Sequence, residues 1–243
     1  MNLKDALQLF AWEGLNPLLL RWNRHKRYAF NGRYAGINLG CGLDNPANWL
    51  GIDGGAYVVM QSIPTPILRL VYRFTTARKS YCEDEYIHRI RRIKVLHHDL
   101  GYGIPFADSS VPAIYTSHLL EHVTRIDAQR LMKECLRVLK PGGMVRIVVP
   151  SLEKQVDKMR EAVSCYERGD LQPIQEYLTS NVVGYNNAYN NHRWMYNFRD
   201  LSDLLQRVGF IDITERLFRE GNFPDLTQIE TRGGVIIEAL KGR

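Results

Sequence analysis

From Tyr34 onward, short apolar runs of strand length alternate with longer stretches in which apolar residues recur at helical spacing. Residues 35–39 form the first run and end in Gly-Cys-Gly; 49–52, 92–98, 113–117 and 144–149 continue the series. An amphipathic helix is predicted over 126–139, stopped by Lys140, Pro141, Gly142 and Gly143, because proline and paired glycines end a helix and turn the chain. Ser151 is placed to cap the next helix, which runs to about residue 167, and Gly209 to end another over 198–208. Two last strands fit 211–217 and 233–240. Strands and helices in alternation predict an α/β domain around a mainly parallel sheet.

The ends and two insertions depart from this rhythm. Leu3, Leu7, Phe10 and Ala11 share one helical face before Gly14 and Pro17 break the pattern. Residues 18–28 then join an apolar run to Arg21, Arg24, Lys26 and Arg27, which suits a helix packed on the domain or lying on an anionic membrane surface. Residues 56–91 carry Ile67, Leu70, Val71 and Phe74 at helical spacing, and 168–197 are rich in Asn, Tyr and Gly. The expected organisation is a helical extension over 1–33 and one domain over 34–243, with insertions at about 56–91 and 168–197. Long insertions in compact domains are often binding loops, so acceptor specificity is expected there.

Composition narrows the class. Of 243 residues, 45% are apolar and 24% charged, with no repeat or low-complexity tract, which is the make-up of a soluble globular protein. The net charge of +6 favours anionic partners without choosing among them. Cys41, Cys82, Cys135 and Cys165 form no Cys-x-x-Cys pair, a poor arrangement for zinc or a disulfide framework. Lys4, Asp5 and Glu13 interrupt the first apolar residues, against a signal-peptide core, and no run approaches the roughly 18 apolar residues of a membrane span. A cytoplasmic setting, peripheral to the membrane, is expected; oligomeric state is left open.

Candidate chemistry gathers where strands end. In Asn38-Leu39-Gly40-Cys41-Gly42 a strand runs into glycines, so a ligand can approach backbone N–H groups without meeting Cβ atoms. Thirteen residues after Gly40 comes Asp53, at a strand end where an acidic residue accepts ribose hydroxyls in dinucleotide folds. Asp99, with Leu100, ends the third strand and is placed to meet an adenine amino group. Ser117, His118, Glu121 and His122 follow the fourth; on a helix, His118, Glu121 and His122 would share a face turned toward the ligand crevice.

Taken in order, these motifs, with Ile104 to Ser109, Leu120-Glu121-His122-Val123 and Arg137 to Gly143, resemble the type 11 family of class I S-adenosylmethionine-dependent methyltransferases, a Leu-Gly-Cys-Gly subgroup. The resemblance covers about 35–240. It implies a Rossmann-like, doubly wound seven-stranded sheet with an antiparallel last strand in a three-layer αβα architecture, and S-adenosyl-L-methionine as cofactor. Cofactor contacts then fall on Asn38, Leu39, Gly40, Cys41, Gly42, Asp53, Asp99, Leu100, Ser117 and His118. Two departures stand out: the interval from Gly40 to Asp53 leaves room only for an abbreviated first helix, and Ala113 replaces the Asp many relatives carry in the fourth strand.

Transfer of methyl to a hydroxyl needs a base, and His118, His192 and then His122 are the catalytic candidates. Some class I methyltransferases hold a divalent ion with a Glu-x-x-Glu-His pattern and a distant His; here His118 stands at the first position, and no metal is expected. Relatives with this opening are often tied to polysaccharide synthesis, so the favoured acceptor is a small molecule or glycan: a sugar, glycan or glycolipid met through Trp194 and the nearby tyrosines and asparagines. RNA methylation by the basic segments at 21–27 and 69–94 is less favoured for want of a known RNA-binding module. A non-catalytic S-adenosylmethionine-binding protein is the other alternative. An NAD-dependent oxidoreductase would want a third glycine where Asn45 stands.

Overall fold

The computed structural model describes residues 15–178 and 192–243. The helix expected over 3–13 and residues 179–191 of the Asn/Tyr-rich insertion lie outside the described residues.

Seven strands form one sheet: β1 (Gly36–Leu39), β2 (Trp49–Asp53), β3 (Val95–His97), β4 (Val111–Ser117), β5 (Leu139–Val149), β6 (Phe210–Glu215) and β7 (Val235–Lys241), in the order β3-β2-β1-β4-β5-β7-β6. β1 to β5 run parallel, and β7 pairs antiparallel with both β5 and β6. The order reverses between β1 and β4, the switch point beside which ligands of open α/β sheets bind.

Side chains alternate across the sheet, and each face has its own core. Ile37, Leu39, Ile114 and Ile147 meet α4 (Arg125–Val138) and α7 (Phe198–Val208) through Leu131, Met132, Leu201 and Leu205. Trp49, Tyr115, Val148 and Ile236 on the other face pack Phe223, Leu226 and Ile229 around the short α8 (Leu226–Ile229). Thr124 and Ser151 accept backbone N–H bonds at the starts of α4 and α5 (Leu152–Glu167), and Gly209 ends α7 with a left-handed φ of 110°.

Several boundaries move. The connection from β1 to β2 is a run of turns, not even a shortened helix. Residues 140–143 remain within β5 as an irregularity of its pairing with β4, so Pro141 and the glycines interrupt a ladder rather than precede it. The third strand is cut to three residues because α3 (Glu83–Arg92) runs up to it, acidic in its first turn and basic in its last. In α2 (Thr65–Tyr72) the expected apolar face is turned around: Leu68 is buried against Tyr86 and Ile90, whereas Ile67 and Leu70 are 52% and 55% exposed. Leu68 has these α3 partners, and residues 67 and 70 do not share its face.

The segment after β4 also differs from the helix that its spacing suggested. His118 takes a left-handed φ of 53°, and only residues 120–122 form a 3₁₀ turn. A non-glycine residue in that region is uncommon and is held by its surroundings. Here the His118 amide donates to the carbonyl of Val148 at 2.9 Å, tying the residue to β5.

Candidate active site at the carboxyl edge of the sheet

The ends of β1, β2 and β4 converge at this edge. Gly40 and Gly42 have φ of 64° and 55°, and a Cβ on Gly40 would come within 2.9 Å of Leu119 Cδ1, so glycine lets the β1 and β4 loops touch. A Cβ on Gly42 would meet nothing within 4 Å, which leaves its backbone open to a ligand. Asp53 keys this loop: its Oδ2 accepts from the Gly42 amide at 3.0 Å and its Oδ1 from the Gly55 amide at 2.7 Å. Each carboxylate oxygen can accept a further hydrogen bond. Asp99 accepts from the Gly101 amide at 2.8 Å and caps the turn that holds the partly buried Leu100.

Other expected cofactor residues turn their side chains inward. Asn38 is buried and donates to Asn45 Oδ1 at 3.1 Å, and Leu39 lies in the core. Cys41 packs its sulfur against Gly51, with Tyr57 Oη at 3.9 Å, and burial pushes the Cys41 thiol well above its ordinary pKa. These three can offer a ligand only their main chain. Tyr57, to which the sequence analysis assigns nothing, is half-buried beside Cys41 and Asp53, and its phenol is raised chiefly by burial of the hydroxyl.

One helix comes across to this edge. Asn16, at the start of α1 (Asn16–Asn23), donates to the Gly54 carbonyl at 2.9 Å, and its Oδ1 lies 2.8 Å from His97 Nε2. Asn23 donates to the His97 carbonyl at 3.1 Å. His97 and His98 are both held below the usual histidine pKa, first by burial.

The fourth strand delivers the histidines. His118 Nδ1 lies 3.3 Å from Glu121 Oε1, and His122 Nε2 lies 3.9 Å from the same oxygen. Glu121 is 0% exposed, and neither of its carboxylate oxygens has a hydrogen bond among the described residues. The first contact is thus an approach at ion-pair distance without hydrogen-bond alignment. His192 arrives from far along the chain because the amides of Arg193 and Trp194 donate to the Glu121 carbonyl at 2.6 and 3.3 Å. Its ring then stands edge-on to His122, with centroids 5.0 Å apart. Although His192 is exposed as a whole residue, burial of its ring is the main cause that lowers its pKa, outweighing the pull of Glu121. Trp194 donates to Asp200 Oδ2 at 2.6 Å and carries the Arg125 guanidinium 4.4 Å from its ring centre.

The structure therefore brings His118, His122 and His192 together around one buried carboxylate, which the sequence placed near them but gave no role. Gly40, through Leu119, joins that cluster to the glycine loop. Ala113 is buried in the sheet, in the core on the face of Trp49 and Tyr115.

Comparisons with known proteins set the chain beside methyltransferases. A family model described as a methyltransferase domain matches residues 37–147, from β1 into β5. A Mycolicibacterium smegmatis protein named "Probable S-adenosylmethionine-dependent methyltransferase" is 26% identical over 153 residues, 62% of this chain and 48% of that protein. A demethylmenaquinone methyltransferase of Clavibacter sepedonicus is 25% identical over 130 residues, 54% of this chain and 51% of that one. This chain thus matches about half the length of these curated relatives. A solved SAM-dependent methyltransferase from Thermotoga maritima is similar at 20% identity, with a TM-score of 0.45 over 98% of this chain and 94% of that one. The glycine loop, Asp53 and the β4 end all lie within the stretch that matches the methyltransferase domain, and the chain is similar there to S-adenosylmethionine-dependent methyltransferases.

Proposed function

We propose that this chain methylates a hydroxyl of a sugar, glycan or glycolipid. The observation that carries the reading is the group of three imidazoles around buried Glu121, next to the glycine loop. The residues fit the cofactor: the main chain at Gly42 is open, and Asp53 and Asp99 stand at the ends of β2 and β3 with acceptor capacity to spare. When bound, S-adenosylmethionine supplies an electrophilic methyl that passes to the acceptor oxygen as its C–S bond breaks, leaving S-adenosylhomocysteine.

The chain's own work is to orient and to move a proton. Glu121 beside Nδ1 of His118 favours the tautomer with the proton on Nδ1, so Nε2 keeps a lone pair for the hydroxyl proton. Loose contacts of this kind tighten when the acceptor is bound. His192 closes the cluster from the opposite end of the domain's sequence and would contact the acceptor.

A lipid-linked acceptor is supported by α1. Leu18 and Trp22 are 65% and 79% exposed beside Arg21 and Arg24, on the helix that Asn16 and Asn23 fasten to this edge. Within 69–94, by contrast, Arg69 pairs with Glu83 and Asp84, and Arg89 with Asp44 and Glu85, which leaves less free charge for a phosphate backbone. The quinone acceptor in the name of the Clavibacter relative motivates a second reading, methylation at carbon. Incubation with methyl-labelled cofactor and panels of glycolipids, sugars and quinones, followed by product mass spectrometry, decides between them. Label on a hydroxyl oxygen supports the proposal; label on a ring carbon replaces it.

A further inference from the structure

We propose that Glu121, His122 and His192 bind one divalent transition-metal ion of the zinc type. One ligand atom from each residue falls within a group whose members all lie within 4.8 Å of one another. In a tetrahedral zinc site, bonds of about 2.1 Å set neighbouring ligand atoms roughly 3.4 Å apart, so the side chains close by up to about 1.4 Å on binding. His192 can make that movement, since its residue is exposed.

The second observation is the state of the carboxylate. Glu121 is 0% exposed and neither oxygen has a hydrogen bond among the described residues. A buried charge without compensating bonds is costly, and coordination of a cation is one of the few ways to offset it. Nδ1 of His122 is likewise buried and without a hydrogen bond. One carboxylate with two imidazoles is a donor set that suits zinc or iron better than magnesium, which prefers oxygen ligands and water. Three protein ligands leave a position open, as in catalytic rather than structural zinc sites. An acceptor hydroxyl bound there would have its acidity raised by the ion, and His118, which touches the same carboxylate, stands near to take the proton. The metal site does not depend on which acceptor is used.

The test measures the ion directly. Full-length protein stripped with chelator is titrated with ZnCl₂ by calorimetry and, separately, with CoCl₂ under visible absorption. The expected result is one ion per chain and cobalt d–d bands of a four- or five-coordinate site. In His192→Ala, a change at an exposed residue, affinity should fall at least about tenfold, since even residues that only orient ligands cost 10–100-fold. Glu121→Gln should do the same while S-adenosylhomocysteine still binds, which shows that the fold is intact. Absence of zinc binding, or zinc binding unchanged in both variants, overturns the proposal. Binding of Mg²⁺ as tight as Zn²⁺ also overturns the assignment of ion class.

Discussion

Oε1 of Glu121 lies 3.3 Å from Nδ1 of His118 and 3.9 Å from Nε2 of His122, so one buried carboxylate faces two imidazoles. A group at that position governs both rings at once. Its removal should be felt in catalysis before it is felt in cofactor binding, because Asp53 and the glycine loop stand on other strands.

His118→Ala should lower turnover on a hydroxyl acceptor by at least about tenfold, a floor below the 10²–10⁴ that a general base contributes. Affinity for S-adenosylhomocysteine should stay within about twofold of the native value, on the reasoning that the loss lies in the chemical step. Steady-state kinetics with calorimetry checks both numbers. Full activity in the variant removes His118 from proton transfer.

Asp53→Ala should weaken S-adenosylmethionine binding by about 1.5–3 kcal/mol, the range for a hydrogen bond to a charged group, or roughly 10- to 150-fold. The same change also frees the Gly42 and Gly55 amides that Asp53 holds, so the loop loses its tie to β2. Calorimetry on a variant with native melting behaviour is the measurement. NAD should bind neither form.

Arg146 is fully buried in β5, where it pairs with Glu230 at 2.6 Å and with Glu238 at 2.6 Å. Arg146→Met leaves buried Glu230 without its cation and Glu238 with Arg216 alone, and loss of one partner from such a group costs about 3–5 kcal/mol. Urea denaturation should show that loss, and Arg146→Lys should recover only part of it because a lysine cannot make the forked contacts.

Stability should fall as pH drops below the ordinary histidine range. His97 and His98 are held below 6.5 by burial, so the unfolded chain binds protons that the folded chain refuses. Stability from these groups is complete above about pH 6.5 and is lost on acidification toward their folded values. Denaturation at pH 7.5 and 5.5 should differ less in His97→Gln than in the native protein. An identical difference would remove His97 from the effect.

Anionic vesicles should shift the fluorescence of Trp22 to the blue and bring the protein down in sedimentation at low salt, with less binding at high salt. Trp22→Ala should reduce sedimentation. Binding that is absent at both salts leaves α1 with no lipid partner. Among the described residues no helix is long and apolar enough to cross a membrane.

The alternation of strand-length and helix-length apolar runs was enough to mark out seven strands and the α/β class, because burial on both faces writes near-continuous apolar runs into parallel strands, while the likeness to methyltransferases came from the ordered motifs at the strand ends. Gly40, Gly42, Asp53 and Asp99 were legible for a similar reason: strand ends and tight turns restrict which residues can stand there. Tertiary structure decided the rest. Spacing alone grouped His118, Glu121 and His122 on a helix, but the left-handed His118 and a 3₁₀ turn bring them together instead. Asn38, Leu39 and Cys41 read as a ligand loop, yet Asn38 and Leu39 end a four-residue strand buried at every position, and Cys41 beyond it packs its sulfur on Gly51. The approach of His192 to His122 rests on two amides donating to the carbonyl of Glu121, some seventy residues away, and no local pattern encodes a contact of that range. Which face of α2 is buried likewise depended on α3, since amphipathic spacing supplies candidates for a face and only the packed neighbour selects one.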